Sequence, residues 1–456
     1  MKLKKLVSIF AVAVMVLNLA ACGNSGDSQT EMSESSGNDQ SESSADDSGD
    51  DGGDEKTTVS IWSWSPITRT MNKMIEAIEE SNPDIKIDFT YYNYDPEYLS
   101  ALSAAAASDS LPDIIATQPG SLTQQYADYL IDLSEYAENA WGDNWESNFS
   151  DVVLEQLYLG NAEDDTKLNF LPVEAQVINI WYNKEIFDSL GLKVPSTYDE
   201  LKQVCDTLTE NGYAPLFQGG ASDWQNLNMY LMLVSQHGTE YFDQAQNGEL
   251  SWTDDVFVSS MDTWKKMFDE EIFQTGALSA SCYSDGTTAF TSGQAGMIAL
   301  GSWWTQEFTG EDVAQTVADW DFDFFCLPPM EDGLSTSAPI GGVDFGMAIT
   351  ENCEDVDAAW TVMQSIVAEE GIQAAVDDLN NLPAFKGIEP QAEDLPEDIV
   401  DQFNRASEDL IDAMNQRVAE PTVDTALKAA LQAVASGEMD SKTAMQSVQD
   451  AQDALK

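Results

Sequence analysis

Tryptophans and one amide follow several predicted strands at the point where each strand ends. Trp64 leaves the first predicted strand, Gln118 follows LPDIIAT, and the tandem Trp303 and Trp304 follow GMIAL. A tryptophan ring offers a flat apolar face and one N–H donor, which complements the C–H face and the hydroxyl edge of a sugar ring. These residue types therefore indicate a site that binds a carbohydrate.

Three carboxylates and one more tryptophan extend this candidate site. Asp223 and Trp224 lie in QGGASDWQN, Glu174 lies in LPVEA, and Asp344 follows a Gly-Gly pair. Carboxylates accept hydrogen bonds from neighbouring hydroxyls, as a sugar site requires. In open α/β sheets, ligands lie outside the carboxyl ends of strands, so we expect these loops to converge.

Arginine is scarce, which restricts the charge of the ligand. The chain has three arginines, Arg69, Arg405 and Arg417, and none falls on a predicted pocket loop. A site for phosphate, sulfonate or a free amino acid normally uses Arg or Lys to hold the anion. We therefore predict a neutral ligand. The alternative is a cationic solute such as a polyamine, which acidic and aromatic walls would also suit.

The composition excludes several other classes of protein. With 81 acidic and 19 basic residues the net charge is −62, which repels nucleic acids and anionic lipid surfaces. His237 is the one histidine, so we expect no metal site and no cofactor. Among so many acids, carboxylate pairs arise by chance and give little support to a glycosidase, and GxSxG and HExxH are absent. We predict no catalytic residues and no enzyme.

The N-terminus predicts secretion and lipid anchoring. Residues 1–22 combine a basic start, a short apolar run and Leu-Ala-Ala-Cys, which resembles the bacterial lipobox. The resemblance implies that Cys22 becomes the lipidated first residue, and the alternative is an ordinary signal peptide with an incidental cysteine. Residues 23–58 hold eleven acids and one lysine among Gly, Ser and Asn, and predict a disordered tether. We expect the outer face of the bacterial cytoplasmic membrane, with membrane contact through the lipid alone.

The remaining chain alternates strands with helices, which predicts an α/β fold. TTVSIWSW, PDIKIDF and LPDIIAT are predicted strands. One helix begins at a capping box of Thr197 and Glu200 and carries an apolar stripe that includes Cys205. Another follows Asn352 and is expected to end at Gly371. About 400 residues are too many for one core and predict two lobes.

Four cysteines lie beyond the lipobox, and none forms a CxxC pair: Cys205, Cys282, Cys326 and Cys353. Outside the cell they could form up to two disulfides in three pairings. We favour mostly free, buried thiols.

Several segments together resemble the family 1 extracellular solute-binding proteins of ABC importers, the group that includes maltose-binding protein and many sugar-binding lipoproteins. The matching stretches follow the family's order: IWSW, NPDIKIDF, LPDII, INIWYNKEIFDSLGLKVPSTYDEL, FTSGQAGMIALGSWW, FDFFCLPP, GGVDFGMAI, DAAWTVMQSIVAEEGIQ and LPAFKG. WYNKEIF followed by GLKVPSTYDEL is the most specific of them. Where maltose-type relatives place charged residues after the first strand, this chain has Trp64-Ser65-Pro66.

The resemblance implies a class II, two-lobed binding-protein fold in which each lobe is a mainly parallel sheet flanked by helices. The N-lobe would comprise 59–172 plus 346–381, and the C-lobe 177–340 plus 385–456. Hinge crossings would lie near 172–177, 339–345 and 382–385. A monomer would close on a mono- or oligosaccharide and deliver it to the permease subunits of the transporter.

The resemblance also implies which residues contact the ligand. By position, Trp64, Gln118, Glu174, Asp223, Trp224 and Trp303 match places where relatives contact ligand. Trp181 matches the family as a packing residue of its strand. Within the tandem pair we favour Trp303 as the platform under a sugar ring, while Trp304 either adds a second ring or wedges the loop in place.

Overall fold

The computed structural model describes residues 56–159, 166–308, 320–391 and 395–455. The predicted signal 1–22 with Cys22, and residues 23–55 of the predicted tether, lie outside the described residues. The first strand begins at Thr57, so it includes the last two residues of the predicted tether, Thr57 and Thr58. Within the described ranges, no helix combines the length and the hydropathy needed to cross a membrane.

One mixed ten-stranded sheet runs through the described chain. Its strands, in chain order, are β1 (Thr57–Ser63), β2 (Ile85–Tyr91), β3 (Ile114–Thr117), β4 (Leu171–Asn183), β5 (Ala214–Phe217), β6 (Ala295–Gly301), β7 (Phe322–Phe325), β8 (Ile340–Ile349), β9 (Leu382–Pro383) and β10 (Met414–Asn415). The main path through the sheet is β2-β1-β3-β8-β4-β6-β5, with β7 and β9 on β4 and with β10 on β8.

The sheet is parallel towards its two ends and antiparallel in its middle. β1 pairs in parallel with β2 and β3, and β5 pairs in parallel with β6. The long strands β4 and β8 run antiparallel to each other and to their neighbours β6 and β3. The predicted α/β class is therefore present, and the antiparallel pairs arise where the chain passes between the two ends.

Helices flank the sheet, as the alternating pattern predicts. They are α1 (Thr68–Ser81), α2 (Leu99–Ala107), α3 (Ser121–Tyr126), α4 (Ser134–Trp141), α5 (Asp151–Leu157), α6 (Lys184–Leu190), α7 (Tyr198–Glu210), α8 (Asp223–Ser235), α9 (Tyr241–Gln246), α10 (Asp255–Asp269), α11 (Thr288–Thr291), α12 (Thr305–Phe308), α13 (Val356–Ala368), α14 (Glu370–Asp377), α15 (Glu397–Ile411), α16 (Pro421–Ser436) and α17 (Ser441–Asp453).

Helix α7 begins where the sequence predicts, with one change at its cap. The Thr197 hydroxyl accepts a hydrogen bond from the Glu200 backbone N–H at 3.3 Å. The Glu200 carboxylate accepts a hydrogen bond from the backbone N–H of Ser196 at 2.7 Å, and the backbone N–H of Thr197 contributes more weakly. The predicted stripe, which includes Cys205, is buried. The predicted capping box therefore forms, with Ser196 as the main donor to the Glu200 carboxylate.

The helix predicted to end at Gly371 ends earlier, and a new one follows. Helix α13 stops at Ala368, and α14 then contains Gly371, which is buried. A Cβ at Gly371 would lie 2.9 Å from the carbonyl oxygen of Ser365. This glycine therefore permits close packing between two helices instead of ending one.

The buried apolar side chains form two clusters. The first is built mainly from the strands and helices before residue 178 together with α13 to α15, and the second mainly from α7 to α10 with α16 and α17. Strand β6 serves both because its side chains alternate: Met297 and Ala299 belong to the second cluster, and Ile298 and Leu300 to the first.

The three segments predicted as hinge crossings lie side by side. Segment 172–177 is part of β4, 339–345 enters β8, and 382–385 begins with β9. β4 pairs antiparallel with both of the other strands. Its pairing with β8 shifts register on both sides of Glu174, so a bulge lies at this position.

All four cysteines in the described chain are free. Cys205 and Cys282 are buried, whereas Cys326 and Cys353 are half-buried. Burial raises the pKa of the Cys205 thiol to about 12, so this thiol is poorly reactive.

Candidate functional site

An aromatic group forms where β1 and β2 end. The half-buried Trp64 ring lies 4.9 Å, centroid to centroid, from Tyr94 and also from Tyr98. The Phe345 ring of β8 lies 6.0 Å from Trp64. These rings come together because β1 and β2 are parallel neighbours and β3 joins them to β8. Trp64 thus lies where the sequence places it, inside a larger aromatic group.

Gln118 joins this aromatic group to β8. The Tyr94 hydroxyl donates to Gln118 Oε1 at 3.3 Å, and Gln118 Nε2 donates to the backbone carbonyl of Asp344 at 3.0 Å. The predicted residues Gln118 and Asp344 are therefore in direct contact. Tyr94 was not identified from the sequence, although its position just after β2 is a strand exit.

The carboxyls of Glu174 and Asp344 lie on neighbouring strands, and two consecutive asparagines hold them. Asn380 Nδ2 donates to Glu174 Oε1 at 2.8 Å, and Asn381 Nδ2 donates to Asp344 Oδ2 at 2.9 Å. Within the described residues, Glu174 Oε2 has no hydrogen-bond partner. The structure thus brings both predicted carboxyls to one place beside the bulge in β4.

Burial raises the pKa of both carboxyls. Glu174 is fully buried, and this burial, followed by the nearby charge of Asp344, raises the pKa of Glu174 well above its usual value. Burial also raises the pKa of Asp344 to about 6, although the charge of Arg417 and the hydrogen bond from Asn381 oppose the rise. The site therefore holds two neighbouring carboxyls whose pKa values are both raised by burial.

A second aromatic group contains Trp224, Trp303 and Tyr283. Trp303 lies 6.0 Å from Trp224 and 5.6 Å from Tyr283 between ring centroids, and Trp224 lies 5.7 Å from Tyr283. The Trp224 indole N–H is buried without a hydrogen-bond partner among the described residues. Asp223 begins α8 beside Trp224, where the positive end of the helix dipole favours an acid.

Tyr283 lies where the two groups meet, and it was not identified from the sequence. Its side chain is 54% exposed. The charges of Asp344 and Arg417 and the hydroxyl of Tyr94 all lie within electrostatic range of its own hydroxyl. The available signal was an aromatic residue set among the polar residues of SASCYSDG, a pattern of an exposed turn.

Arg417 also reaches the site, contrary to the expectation that no arginine does so. Its Nη2 donates to the carbonyl of Val343 at 3.0 Å and to that of Asp344 at 3.2 Å. Its Nε has no hydrogen-bond partner within the described chain. Arg417 follows β10, which pairs with β8, and this pairing is not visible in the local sequence. The only feature of the sequence that could have drawn attention to Arg417 was the rarity of arginine in this chain.

Trp304 lies in the core and not in the candidate site. It is fully buried. Its ring stacks on Trp320 at 5.1 Å and lies 5.1 Å from Trp181 and 5.2 Å from Phe290. This packing corrects the inclusion of Trp304 among the ligand-contacting residues and fits the alternative in which it wedges the loop. Trp181 packs against Trp304, as expected of a packing residue of its strand.

The described residues contain no group of three or more His, Cys, Asp or Glu side chains placed to hold a metal ion. What the site does contain is flat aromatic faces, carboxyls, amides and one guanidinium. Such a set is chemically suited to a polar molecule that has apolar faces.

Comparison with known proteins identifies the family. A model of the bacterial extracellular solute-binding proteins matches residues 64–373, more than half of the chain. The multiple sugar-binding protein of Streptococcus mutans is 23% identical over 343 residues, a match that covers 74% of this chain and 77% of that protein.

Solved structures have the same fold. One comes from work on xylan utilisation by Caldanaerobius polysaccharolyticus, with a TM-score of 0.70 at 18% identity over 86% of this chain and 99% of that one. Another is the binding protein RafE in complex with raffinose, with a TM-score of 0.66 at 20% identity over 88% of this chain and 100% of that one. These likenesses confirm the two-lobed α/β fold, and the family match shows that the chain belongs to the bacterial extracellular solute-binding proteins.

Proposed function

We propose that this protein captures a neutral mono- or oligosaccharide outside the cell and delivers it to the permease of an ABC transporter. The observation that carries the proposal is the pair of aromatic groups, one around Trp64 and one around Trp303, with Asp344, Gln118 and Arg417 between them. Aromatic faces bind the C–H face of a sugar, and the polar groups bind its hydroxyls. The S. mutans relative, named a multiple sugar-binding protein, supports this class of ligand.

Lobe closure is the proposed mechanism. The lobes are 59–172 plus 346–381 and 177–340 plus 385–456, and the adjacent segments in β4, β8 and β9 are the hinge. A sugar that contacts both aromatic groups binds the closed form better than the open one, so it shifts the population towards closure. The permease would then recognise the closed form.

The site does not favour a cationic solute as much as the acidic composition suggests. Arg417 places a positive charge near Asp344, and the raised pKa of Glu174 disfavours the charged form of that carboxyl. A polyamine would therefore meet the positive charge of Arg417 near the one carboxylate that could attract it. The sugar remains the better candidate.

Calorimetry tests the proposal with a panel that contains galactose, raffinose, stachyose, xylo-oligosaccharides, chito-oligosaccharides and spermidine. We expect saturable binding to at least one sugar, with an affinity that barely changes with ionic strength. Binding to spermidine alone, with an affinity that falls steeply as salt is added, would identify a polyamine receptor instead.

The protein is proposed to bind without converting its ligand and to remain on the membrane through Cys22. Incubation of the sugar with purified protein should release no reducing ends. Substitution of Cys22 by Ala should move the protein from the membrane fraction to the medium, because one lipid-modified residue is the whole anchor. Retention of the variant on the membrane would point to another mode of attachment.

A further inference from the structure

A short turn after α14, residues 378–381, touches three parts of the molecule that the proposed site needs; we call it the junction turn. Its first residue, Asp378, is 1% exposed. Asp378 accepts hydrogen bonds from Arg69 Nε at 2.9 Å and Thr70 Oγ1 at 2.6 Å, and it pairs with Lys73. Buried carboxylates persist where they are paired and hydrogen-bonded in this way. Helix α1 therefore holds the start of the turn.

Asn381, the last residue of the junction turn, makes hydrogen bonds in two directions. Its Nδ2 donates to Asp344 Oδ2 at 2.9 Å. Its Oδ1 accepts from Ser302 Oγ at 2.7 Å and from the backbone N–H of Leu382 at 2.9 Å. The side chain is 4% exposed, so water competes little for these bonds. One amide thus contacts both an acid of the site and the residue just before Trp303.

The other end of the tryptophan loop is bound to the same turn. Thr305 Oγ1 donates to the carbonyl of Leu379 at 2.7 Å. Ser302 and Thr305 flank Trp303, so the junction turn holds the loop on both sides of the ring. In the proposed lobes, the loop belongs to one lobe and the junction turn to the other.

We propose that Asn381 is a positioning residue of the ligand site, which fixes Asp344 and the Trp303 loop in one mutual arrangement. The inference rests on the proposed function for the meaning of that arrangement. The physical basis is that the oxygen and the nitrogen of the Asn381 amide both make hydrogen bonds. A displacement of the Trp303 loop therefore either breaks the bond from Ser302 to this oxygen or moves the nitrogen that donates to Asp344. Asp344 and Trp303 therefore act as one unit.

The test uses Asn381→Ala and a matched control, Gln236→Ala. Gln236 is also a buried amide, 3% exposed, with bonds to the carbonyls of Leu327 and Pro328 and to the N–H of Met330. It touches none of the site residues. The two variants remove comparable buried hydrogen bonds, so a general loss of stability is common to both.

Hydrogen exchange of the ligand-free protein is the first measurement. We expect Asn381→Ala to accelerate exchange of the amides of residues 302–305 by about tenfold or more, because their local opening no longer breaks the bond to the turn. Gln236→Ala should leave these amides unchanged. Unchanged exchange at 302–305 in Asn381→Ala would overturn the inference, whether or not any ligand is known.

Affinity is the second measurement, with raffinose or whichever sugar of the panel the wild type binds most tightly. Loss of a hydrogen bond to a charged group predicts a roughly tenfold to hundredfold weaker affinity for Asn381→Ala. The double variant with Trp303→Ala should lose less than the product of the two single losses, because the two residues act as one unit.

In the control cycle, Gln236→Ala is combined with Trp303→Ala. The affinity loss of this double variant should equal the product of the two single losses. The inference would be overturned if the affinity loss of the double variant at Asn381 and Trp303 also equalled the product of its two single losses. If the wild type binds no sugar at all, the proposed function fails, and the exchange measurement still decides the role of Asn381.

Discussion

The rings of Trp303 and Tyr283 lie 5.6 Å apart at an angle of 40°, with Trp303 8% exposed and Tyr283 54% exposed. An exposed ring therefore lies beside one that is almost fully buried. A sugar that approaches this side of the site meets Tyr283 first and reaches Trp303 only if Tyr283 moves or shares the contact. Both rings should consequently contribute to affinity, and in different ways.

Substitution of Trp303 by Ala should weaken sugar affinity at least about tenfold, or roughly 1.4 kcal/mol. Substitution of Trp304 by Ala should instead lower the free energy of unfolding by about 3 to 5 kcal/mol, because it empties a core position between Trp181 and Trp320. Calorimetry and chemical denaturation of both variants separate the two effects. A large affinity loss in a stable Trp304→Ala protein would reverse the assignment.

Tyr283 should be a ligand contact with little role in folding. Its replacement by Ala removes an exposed side chain, so we expect the free energy of unfolding to fall by only about 1 kcal/mol, from the lost ring contacts with Trp224 and Trp303. The loss of binding free energy, which calorimetry measures, should be larger than this loss of stability. Tyr129, 37% exposed on another part of the molecule, provides the control, since Tyr129→Ala should leave affinity unchanged. Equal affinity in both variants would remove Tyr283 from the site.

The raised pKa of Asp344 predicts a pH-dependent stability. Between pH 3.8 and about 6 the folded protein holds a proton on Asp344 that the unfolded chain has lost, so the folded state becomes less stable as pH rises through this window. In Asp344→Asn this loss is absent. The unfolding free energy of the variant, relative to wild type, should therefore rise by on the order of 1 to 3 kcal/mol between pH 4 and pH 7.

Denaturant titrations at several pH values measure this difference, and the other ionisable groups cancel where they titrate alike in both proteins. The groups that act on Asp344, or on which Asp344 acts, are Glu174 on β4, Arg417 after β10 and the hydroxyl of Tyr283. The change of the stability difference with pH is the diagnostic quantity. Its value at pH 7 alone is not, because Arg417 loses the nearby charge of Asp344 in the variant. A difference that stays flat across the window would contradict the raised pKa.

The sequence predicted those features that depend on local pattern. The capped helix α7 and the buried strand before Trp303 follow from apolar spacing, cap residues and turn residues a few positions apart. Tyr283 and Arg417 could not be placed in this way, because their position depends on contacts between segments far apart in the chain. Arg417 reaches the site only because β10 pairs with β8, and that pair is two residues long. The choice between Trp303 and Trp304 likewise needed the tertiary packing around Trp181.

Arg417 should determine the charge state of the site. Its guanidinium is the cation that lowers the pKa of Asp344, so Arg417→Gln should raise that pKa further and shift the pH window of the stability difference upward. Sugar affinity should fall as well, because Nη2 no longer donates to the carbonyls that fix β8 beside Gln118.

Arg405 is the matched control: it pairs with Asp323 at the surface and lies over the Phe324 ring. Exposed pairs contribute little, so Arg405→Gln should change neither the pH window nor the affinity. Identical behaviour of the two glutamine variants would mean that Arg417 does not act on Asp344.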